Sequence, residues 1–466
     1  MLQRTGTRFL IVGLLVVLMA LPLFMIGAIV DGRLSYSRDV QENVGLEWGG
    51  PQIVTGPRLV IPVSGPVTRM VTESVTDATT GAVTQVNREK TEIGAQEPLV
   101  LLPERLNATV GTTTEERRRG IFEAPVYTAQ VDLDFDFTMP NVTPIIDSGA
   151  TIEWDKAKVM LGLESNRGLR GETSLTRGGK TLAIDPASSD GAGIQAFVGD
   201  PRQGDQGFKL SMSVNGAQSL QLSPVGRLTH AVMKGNWPHP SFTGAFLPDS
   251  YTVADSGFDA EWTIPHLARP LPQATRGSMA FAEREQAFGV SFFQPNDFYQ
   301  KAYRATRYSF LLIALTFLTV LLIERGVTGR PAHPVQYILI GMAQSVFVLL
   351  MVAYAEHIGF GPAYLGASVA TIALLTLFGW IGLKLGRRVW VLAALLIVLY
   401  AMLYLILQSA DFALLAGATV AFLAIAATMI ATRNEDWWGQ PSPPRPSRRA
   451  RQEEAAPAAG DEDAAK

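Results

Sequence analysis

Long apolar runs at the two ends of the chain dominate its hydrophobic pattern. Six of them approach the length needed to cross a membrane: 9–30, 308–323, 334–355, 360–383, 389–407 and 412–431. A helix rises about 1.5 Å per residue and the hydrocarbon core is about 30 Å thick, so about 20 apolar residues suffice. The run 308–323 is short unless the turn at 302–306 extends it. The pattern predicts an N-terminal transmembrane anchor helix and a C-terminal bundle of five transmembrane helices.

The first apolar run differs from a cleaved signal peptide. It is longer than a typical h-region of about 7–15 residues, and no Ala-x-Ala motif precedes Asp31. Pro22 lies inside the run, where it is expected to kink the helix without ending it. We therefore expect an uncleaved anchor over residues 9–30.

Lysine and arginine are distributed unevenly among the short segments that flank the apolar runs. Thirteen lie in alternate segments, whereas 356–359 and 408–411 contain none. The thirteen are Arg4, Arg8, Arg325, Arg330, Lys384, Arg387, Arg388, Arg433, Arg445, Arg448, Arg449, Arg451 and Lys466. Because cytoplasmic loops carry the basic excess, both termini (1–8 and 432–466) are expected in the cytoplasm. The long segment 31–301 then lies outside, in the periplasm of a Gram-negative bacterium.

The segment 31–301 alternates apolar and polar positions with a period of two, which indicates half-buried β-strands. In 131–137, four apolar residues alternate with the carboxylates of Asp132, Asp134 and Asp136. Similar alternation recurs at 53–63, 159–163, 208–214, 228–234 and 260–264. Many short strands bounded by turn residues predict an all-β sandwich. Together with the apolar runs, this predicts an α+β membrane protein with a large periplasmic β-rich domain.

Three smaller segments show patterns of their own. The stretch 68–97 predicts either a hairpin with a loose tip or a flexible insertion, and Asn215-Gly216 predicts a turn. The charged stretch 112–120 predicts a short exposed helical turn. The tail 432–466 is rich in proline, alanine and charge and predicts a disordered cytoplasmic extension.

The composition agrees with a membrane protein that carries a sizeable soluble part. Charged residues make up 17% of the chain, against about 25% in a typical soluble protein, and the mean hydropathy is +0.18. The chain has a net charge of −3 and no strongly basic domain, so we do not expect nucleic acid as a partner. The chain contains no cysteine, which excludes disulfides, thiol catalysis and Cys-ligated metals.

Candidate chemistry in the segment 31–301 is sparse. His230, His239 and His266 fall close together, but their spacing matches no metal-ligand motif such as His-Glu-x-x-His. The chain also lacks the Gly-x-Ser-x-Gly, Gly-Lys-Ser/Thr and Gly-x-Gly-x-x-Gly motifs of hydrolases and nucleotide-binding proteins. We therefore expect no metal, cofactor or catalytic residue, and the sequence favours a non-catalytic protein.

Polar residues inside the apolar runs are stronger functional candidates than those in the segment 31–301, because buried polar groups in lipid usually have partners. Gln344 lies near the middle of the third run, beside a Gly341-x-x-x-Ser345 pattern that favours helix packing over a transport path. Glu356 and His357 lie between the third and fourth runs, where a carboxylate beside an imidazole can relay protons or sense pH. A hydrogen-bonded tie at the interface is the favoured interpretation of this pair.

Residues 237–269 combine aromatic side chains with prolines that fix the backbone. The aromatic residues are Trp237, Phe242, Phe246, Phe258 and Trp262. Such a segment either fills a core or docks on another surface. A core position is favoured because Trp262 lies in an alternating strand. The alternative is that Trp237, His239 and Trp262 dock over the outer ends of the spans, near Glu356 and His357.

Several of these residues also form a recognisable family pattern. It comprises Gly235-Asn236-Trp237-Pro238-His239-Pro240, Gly257-Phe258-Asp259-Ala260-Glu261-Trp262, Phe288-Gly289-Val290-Ser291-Phe292, His333-Pro334-Val335-Gln336-Tyr337 and Glu356-His357-Ile358-Gly359-Phe360. The pattern resembles the CreD family of inner-membrane cell-envelope integrity proteins, which are linked by name to colicin tolerance. The resemblance extends over about residues 1–431 and is strongest over 235–368.

The resemblance implies a bacterial inner-membrane protein that maintains the cell envelope downstream of a response to cell-wall stress. It implies no defined reaction. The partners that we expect are the lipid bilayer and other envelope proteins. Two alternatives stay open: a transporter or channel through the C-terminal bundle, and a membrane-embedded enzyme that uses Glu356 and His357.

The predicted orientation can be tested with single cysteines, since the chain has none of its own. In intact cells, an impermeant thiol reagent should label Ser409→Cys but neither Thr328→Cys nor Gln440→Cys. Lysed cells provide the control, because all three variants should then react. Labelling of Thr328→Cys from outside would contradict the arrangement.

Overall fold

The computed structural model describes residues 5–76, 83–187, 192–292, 298–324, 332–408 and 413–433. The chain divides into two compact units. The helical unit contains the residues up to Gly32 together with those from Phe298 onward, and the β domain contains Arg33–Asp297.

The N-terminal apolar run forms α1 (Thr5–Leu18) and α2 (Ala20–Trp48). Proline has no N–H to donate to the carbonyl four residues earlier, so Pro22 accounts for the interruption at Met19 between the two helices. The sequence predicted that the β-rich region begins at residue 31, but α2 continues to Trp48. The helix ends only at Gly49 and Gly50, whose φ angles are +142° and +72°. Glycine adopts these angles without steric cost, whereas residues 31–48 contain no proline that would break the helix.

The β domain consists of two sheets, which agrees with the predicted all-β architecture. Its strands are β1 Gln52–Thr76, β2 Val83–Leu101, β3 Arg105–Arg119, β4 Phe122–Asp136, β5 Thr151–Ile152, β6 Lys158–Gly162, β7 Leu169–Arg177, β8 Lys180–Leu182, β9 Asp185–Pro186, β10 Gly193–Phe197, β11 Gly207–Ala217, β12 Ser219–Leu222, β13 Leu228–Gly235, β14 Pro240–Gly244, β15 Ser250–Ala254, β16 Gly257–Pro265, β17 Ala274–Arg276 and β18 Phe288–Phe292. A short helix, α3 (Ala280–Glu285), precedes the last strand.

Each sheet contains strands that are neighbours in the sequence and strands that are far apart in it. The ten-stranded sheet has the order β14-β18-β12-β1-β6-β10-β9, with β2, β5 and β17 attached beside this path. The eight-stranded sheet has the order β15-β16-β13-β3-β4-β11-β7-β8. Apolar side chains of both sheets form one buried cluster, so the domain has a single core.

Strand β4 shows how the alternation builds this core. Its apolar residues are buried, and Phe135 stacks on Phe208 of β11 with ring centroids 5.4 Å apart. The aspartates of the same strand lie on the opposite face, where Asp136 pairs with Arg105 of β3. The predicted strand over 131–137 is therefore confirmed, although β4 begins earlier, at Phe122.

Two local predictions were wrong. The stretch 112–120 is not a helical turn, because β3 continues to Arg119 and pairs with β4 up to Arg119–Phe122. The cross-strand hydrogen bonds outweigh the charged composition of this stretch. The chain does not turn at Asn215-Gly216 either, since both residues lie inside β11. At Gly216 a Cβ atom would lie 2.3 Å from the Tyr127 hydroxyl, so glycine is needed there for close packing.

The predicted hairpin over 68–97 is present. Strands β1 and β2 pair as far as Thr76 and Val83, and the tip at 77–82 lies outside the described residues. Beyond Val63 the two strands continue as a largely exposed ribbon.

The helical unit continues with α4 (Phe298–Glu324), α5 (Pro334–Ile358), α6 (Phe360–Ile381), α7 (Val389–Gln408) and α8 (Ala413–Thr432). Within the described residues, α4 to α7 and the N-terminal helix are long and apolar enough to cross a membrane. The predicted run 308–323 is the last part of α4, which begins at Phe298 and so reaches full length. The predicted run 412–431 corresponds to α8, whose apolar stretch is the shorter Gly417–Ile430. The predicted tail begins at residue 432, and its part from 434 to 466 lies outside the described residues.

We expect residues 33–298, exported without the spans, to fold as an autonomous β-rich unit. The reason is the single core, whose largest fully buried side chain is Trp262. Circular dichroism should show a predominantly β spectrum and a cooperative melt. Trp262→Ala should lower the stability by about 3–5 kcal/mol, the usual cost of removing a large buried aromatic. A mainly helical spectrum, or a melt that Trp262→Ala leaves unchanged, would contradict this assignment.

Candidate functional site

The start of α4 contacts the three other long C-terminal helices at one end of the helical unit. We call this end, formed by 298–307, 354–364 and 400–408, the proximal end, because the chain enters α4 there. Three polar residues of α4 make the contacts, one with each neighbouring helix. They are Tyr299, Lys301 and Arg304. The first two turns of α4 thereby contact the ends of α5, α6 and α7.

Glu356 of α5 accepts a hydrogen bond from the Tyr299 hydroxyl at 2.9 Å. The Tyr299 side chain is fully buried and Glu356 is half-buried. A hydrogen bond to a carboxylate contributes about 1.5–3 kcal/mol, more than one between neutral groups. This geometry supports the interpretation of Glu356 as an interhelical link.

His357 lies on a different side of α5. Neighbouring residues of a helix point about 100° apart, so the imidazole does not share the face of the Glu356 carboxylate. His357 is exposed, as is the Gly359 position that ends the helix. Gly359 has a φ angle of +79°, which favours glycine at this sharp turn into α6. The arrangement gives no support to a proton relay that uses both side chains.

Lys301 and Arg304 complete the proximal contacts. The Lys301 ammonium lies 4.7 Å from the centroid of the Phe360 ring, at the first residue of α6. This is a cation–π distance, and such contacts strengthen when they are desolvated, as Lys301 is here. Arg304 donates a hydrogen bond to the Leu407 carbonyl at the end of α7, at 3.4 Å. The last four carbonyls of a helix have no N–H partner within the helix, so the Leu407 carbonyl can accept this hydrogen bond.

Gln344 lies deeper in the helical unit and is buried. Its amide donates a hydrogen bond of 2.9 Å to the Thr316 hydroxyl of α4. A second hydrogen bond in the helical unit joins α6 to α7, where the Tyr364 hydroxyl donates to the Tyr400 carbonyl at 2.7 Å. The Phe347 ring contacts both tyrosines edge to face. The packing interpretation of Gln344 therefore has direct structural support.

The opposite end carries an ion pair between the N-terminal helix and α4. Arg8 lies 2.6 Å from the Glu324 carboxylate, whose other oxygen accepts a hydrogen bond from the Ala332 N–H. Arg388 donates to the Ile323 carbonyl at 3.1 Å. Both ends of α4 are thus held by polar contacts, and the anchor helix is attached through one of them.

The three predicted candidates of the β domain have different environments. Trp262 is fully buried, and its indole N–H donates to the Phe246 carbonyl at 3.3 Å. Its ring contacts Phe242 and Phe288. Trp237 is half-buried against the same core, whereas His239 is exposed. Core packing accounts for both tryptophans, as the favoured interpretation stated. Within the described residues, no group of three or more His, Asp or Glu side chains is placed to hold a metal ion.

A cluster of buried charges in the β domain was missed by the sequence analysis. Arg58 of β1 pairs with Glu283 of α3 at 3.1 Å, and both side chains are almost fully buried. Desolvation raises the pKa of Glu283, and the positive charges of Arg58 and Arg269 oppose this shift. Arg269 is also buried, and desolvation lowers its pKa to about 10. The only signal in the sequence is a charged residue, Arg58, directly before the apolar stretch Leu59-Val60-Ile61.

Arg269 acts as a clasp for the backbone around it. Its guanidinium donates hydrogen bonds to the carbonyls of Val225, Gly226 and Leu271 and to the Gln273 side chain. One charged side chain thus donates hydrogen bonds to four acceptors, which is a structural role. The cluster therefore orders the chain that leads into α3 and β18.

Removing one member of the Arg58–Glu283 pair should destabilise the β domain strongly. Glu283→Leu leaves Arg58 buried without its counter-ion, which typically costs about 3–5 kcal/mol. The double variant Arg58→Met/Glu283→Leu removes both charges and should regain most of that loss. Thermal or urea unfolding of the β domain provides the measurement. If the double variant lost as much stability as the two single variants together, the two charges would not compensate each other.

Comparison with known proteins places these features in a family. The family model described as "Inner membrane protein CreD" matches residues 4–438. The inner membrane protein CreD of Escherichia coli (strain K12) is 32% identical over 433 residues, which cover 91% of each chain. Among solved structures, the M1 zinc metallopeptidase from Deinococcus radiodurans is 10% identical, with 74% of this chain and 95% of that chain covered. Its TM-score is 0.24, too low to support any argument about fold or activity.

The resemblance found in the sequence is confirmed by this match over nearly the whole chain. The apolar helices that can cross a membrane agree with it. The chain belongs to the CreD family of inner membrane proteins.

Proposed function

We propose that this inner membrane protein maintains cell-envelope integrity as a non-catalytic coupling protein. In this proposal the β domain senses or binds a component of the envelope, and α4 transmits its state to the other helices. The observation that carries the proposal is the set of contacts made by the first turns of α4. The Tyr299, Lys301 and Arg304 side chains contact α5, α6 and α7 respectively.

Chain connectivity supports the same role for α4. Strand β18, which lies in the core of the β domain, ends at Phe292, and α4 begins at Phe298. Five residues of sequence, 293–297, separate β18 from α4. Coupling of this kind requires an element with two arrangements whose balance both sites influence. The hydrogen bond between Tyr299 and Glu356 is suited to set that balance.

The orientation is part of the proposal. We place both termini in the cytoplasm and the β domain in the periplasm, on the basis of the thirteen-to-none distribution of lysine and arginine. The action downstream of a response to cell-wall stress rests on the family resemblance. The lipid bilayer and other envelope proteins are the partners that this placement makes available.

The test is complementation of cells that lack the protein. Tyr299→Phe removes one hydroxyl and Glu356→Leu removes its acceptor, so both should weaken survival under detergent or cell-wall antibiotics. Loss of about 1.5–3 kcal/mol shifts a two-state balance roughly 10- to 150-fold. Periplasmic leakage should rise while the amount of protein in the membrane stays unchanged.

Two control variants accompany this experiment. Glu356→Gln keeps an oxygen that accepts from Tyr299 and should retain most of the function. His357→Ala changes the exposed neighbour and should behave as the wild type. If Tyr299→Phe and Glu356→Leu also complement fully, α4 does not couple the β domain to the other helices.

A titration of expression separates this role from the enzymatic alternative. A catalyst protects cells at a small fraction of its normal level, because each copy turns over repeatedly. A non-catalytic protein should protect in proportion to its copy number. Full protection at a few per cent of the normal level would refute the non-catalytic role.

A further inference from the structure

An apolar cavity of the helical unit lies between α2 and α4. Its volume is about 440 Å³, within the range of about 300–1,000 Å³ that is typical of ligand sites. It is lined by Ala20, Leu23, Phe24, Gly27, Ala28, Asp31, Tyr303, Thr306, Arg307 and Phe310. The cavity is an open groove, as the exposure of Phe24, Arg307 and Phe310 shows. We call it the α2–α4 groove.

The groove has a polar end and an apolar end. Helices α2 and α4 run in opposite directions here, so the end of the anchor span lies beside the beginning of α4. Asp31, Tyr303 and Arg307 therefore share one end, while Ala20, Leu23 and Phe310 lie towards the other. From Ala20 to Asp31 the helix rises about 16 Å, which is close to half of a hydrocarbon core of about 30 Å. The groove is thus as long as one leaflet and polar only at the level of the headgroups.

The polar end carries both signs of charge. Tyr303 holds the Arg307 guanidinium through a hydrogen bond of 2.8 Å and a ring contact at 4.7 Å. A guanidinium has five N–H groups, so this contact leaves others free to bind the oxygens of a phosphate. Asp31 supplies an exposed carboxylate that can accept from a primary amine.

We propose that the α2–α4 groove binds one molecule of phosphatidylethanolamine. Arg307 binds the lipid phosphate, Asp31 binds the ammonium group, and an acyl chain lies along Leu23, Gly27 and Phe310. Gly27 adds no side chain to the groove, and a Cβ atom there would lie in van der Waals contact, 3.5 Å from the Thr306 methyl group. A phosphatidylcholine lacks the N–H donors that Asp31 needs, and a phosphatidylglycerol lacks the positive charge.

Native mass spectrometry of the full chain in detergent tests the proposal. The probes are phosphatidylethanolamine, phosphatidylcholine and phosphatidylglycerol with identical acyl chains. The wild type should retain one phosphatidylethanolamine in preference to the other two lipids. Arg307→Gln should reduce this retention at least about tenfold, because it removes charge-assisted hydrogen bonds. Asp31→Asn should abolish the preference over phosphatidylglycerol.

The apolar part of the groove has a matched pair of variants. Gly27→Leu places a side chain inside the groove and should prevent retention. Gly366→Leu is the control, since Gly366 has no atom within 4 Å of its Cβ position and lies outside the groove. Arg387→Gln controls for loss of an exposed arginine elsewhere. The thermal stability of every variant shows whether it is still folded.

Two outcomes would overturn the proposal. Equal retention of the three lipids, unchanged in Arg307→Gln and Gly27→Leu, would show ordinary annular lipid only. A change from dimer to monomer in Gly27→Leu, without any loss of lipid, would show that a second copy of the chain covers the groove.

Discussion

Helices inside a bilayer gain nothing from the hydrophobic effect when they associate, because lipid tails are as apolar as their side chains. The helical unit therefore depends on close packing and on a small number of polar contacts. In this protein α4 makes contacts of this kind along its length, from Tyr299 through Thr316 to Glu324. The arrangement makes α4 the central helix of the unit, and every functional proposal made above depends on that position.

The β domain is stabilised in a different way. Its stability comes from one large apolar core shared by two sheets, because the burial of apolar surface favours folding. The Arg58–Glu283 pair and the Arg269 clasp lie inside that core, where charges are costly unless they are paired. Because Glu283 lies in α3 and Arg58 lies in β1, their ion pair holds this short helix against the strand.

Sequence patterns succeeded where local periodicity and tertiary structure agree. The apolar runs fall in helices, and the alternating stretch 131–137 lies in β4, because each pattern reports which face of one element is buried. The patterns failed where pairing or packing with another strand decides. Residues 115–119 are all charged, yet they belong to β3 because β4 pairs with them. Gly216 looks like a turn residue, yet it lies in β11 because the Tyr127 ring needs its space.

The sequence alone was sufficient for the class of protein, the family and the existence of a β domain between an anchor and a helical bundle. Those properties follow from hydropathy, period and motif, which are local. Only the tertiary structure decided that Glu356 meets Tyr299 and not His357, that Arg58 meets Glu283, and that Asp31 and Arg307 lie at the same end of one groove. These pairs are separated by tens to hundreds of residues, and no local pattern specifies which distant side chain a polar group will meet when the chain folds.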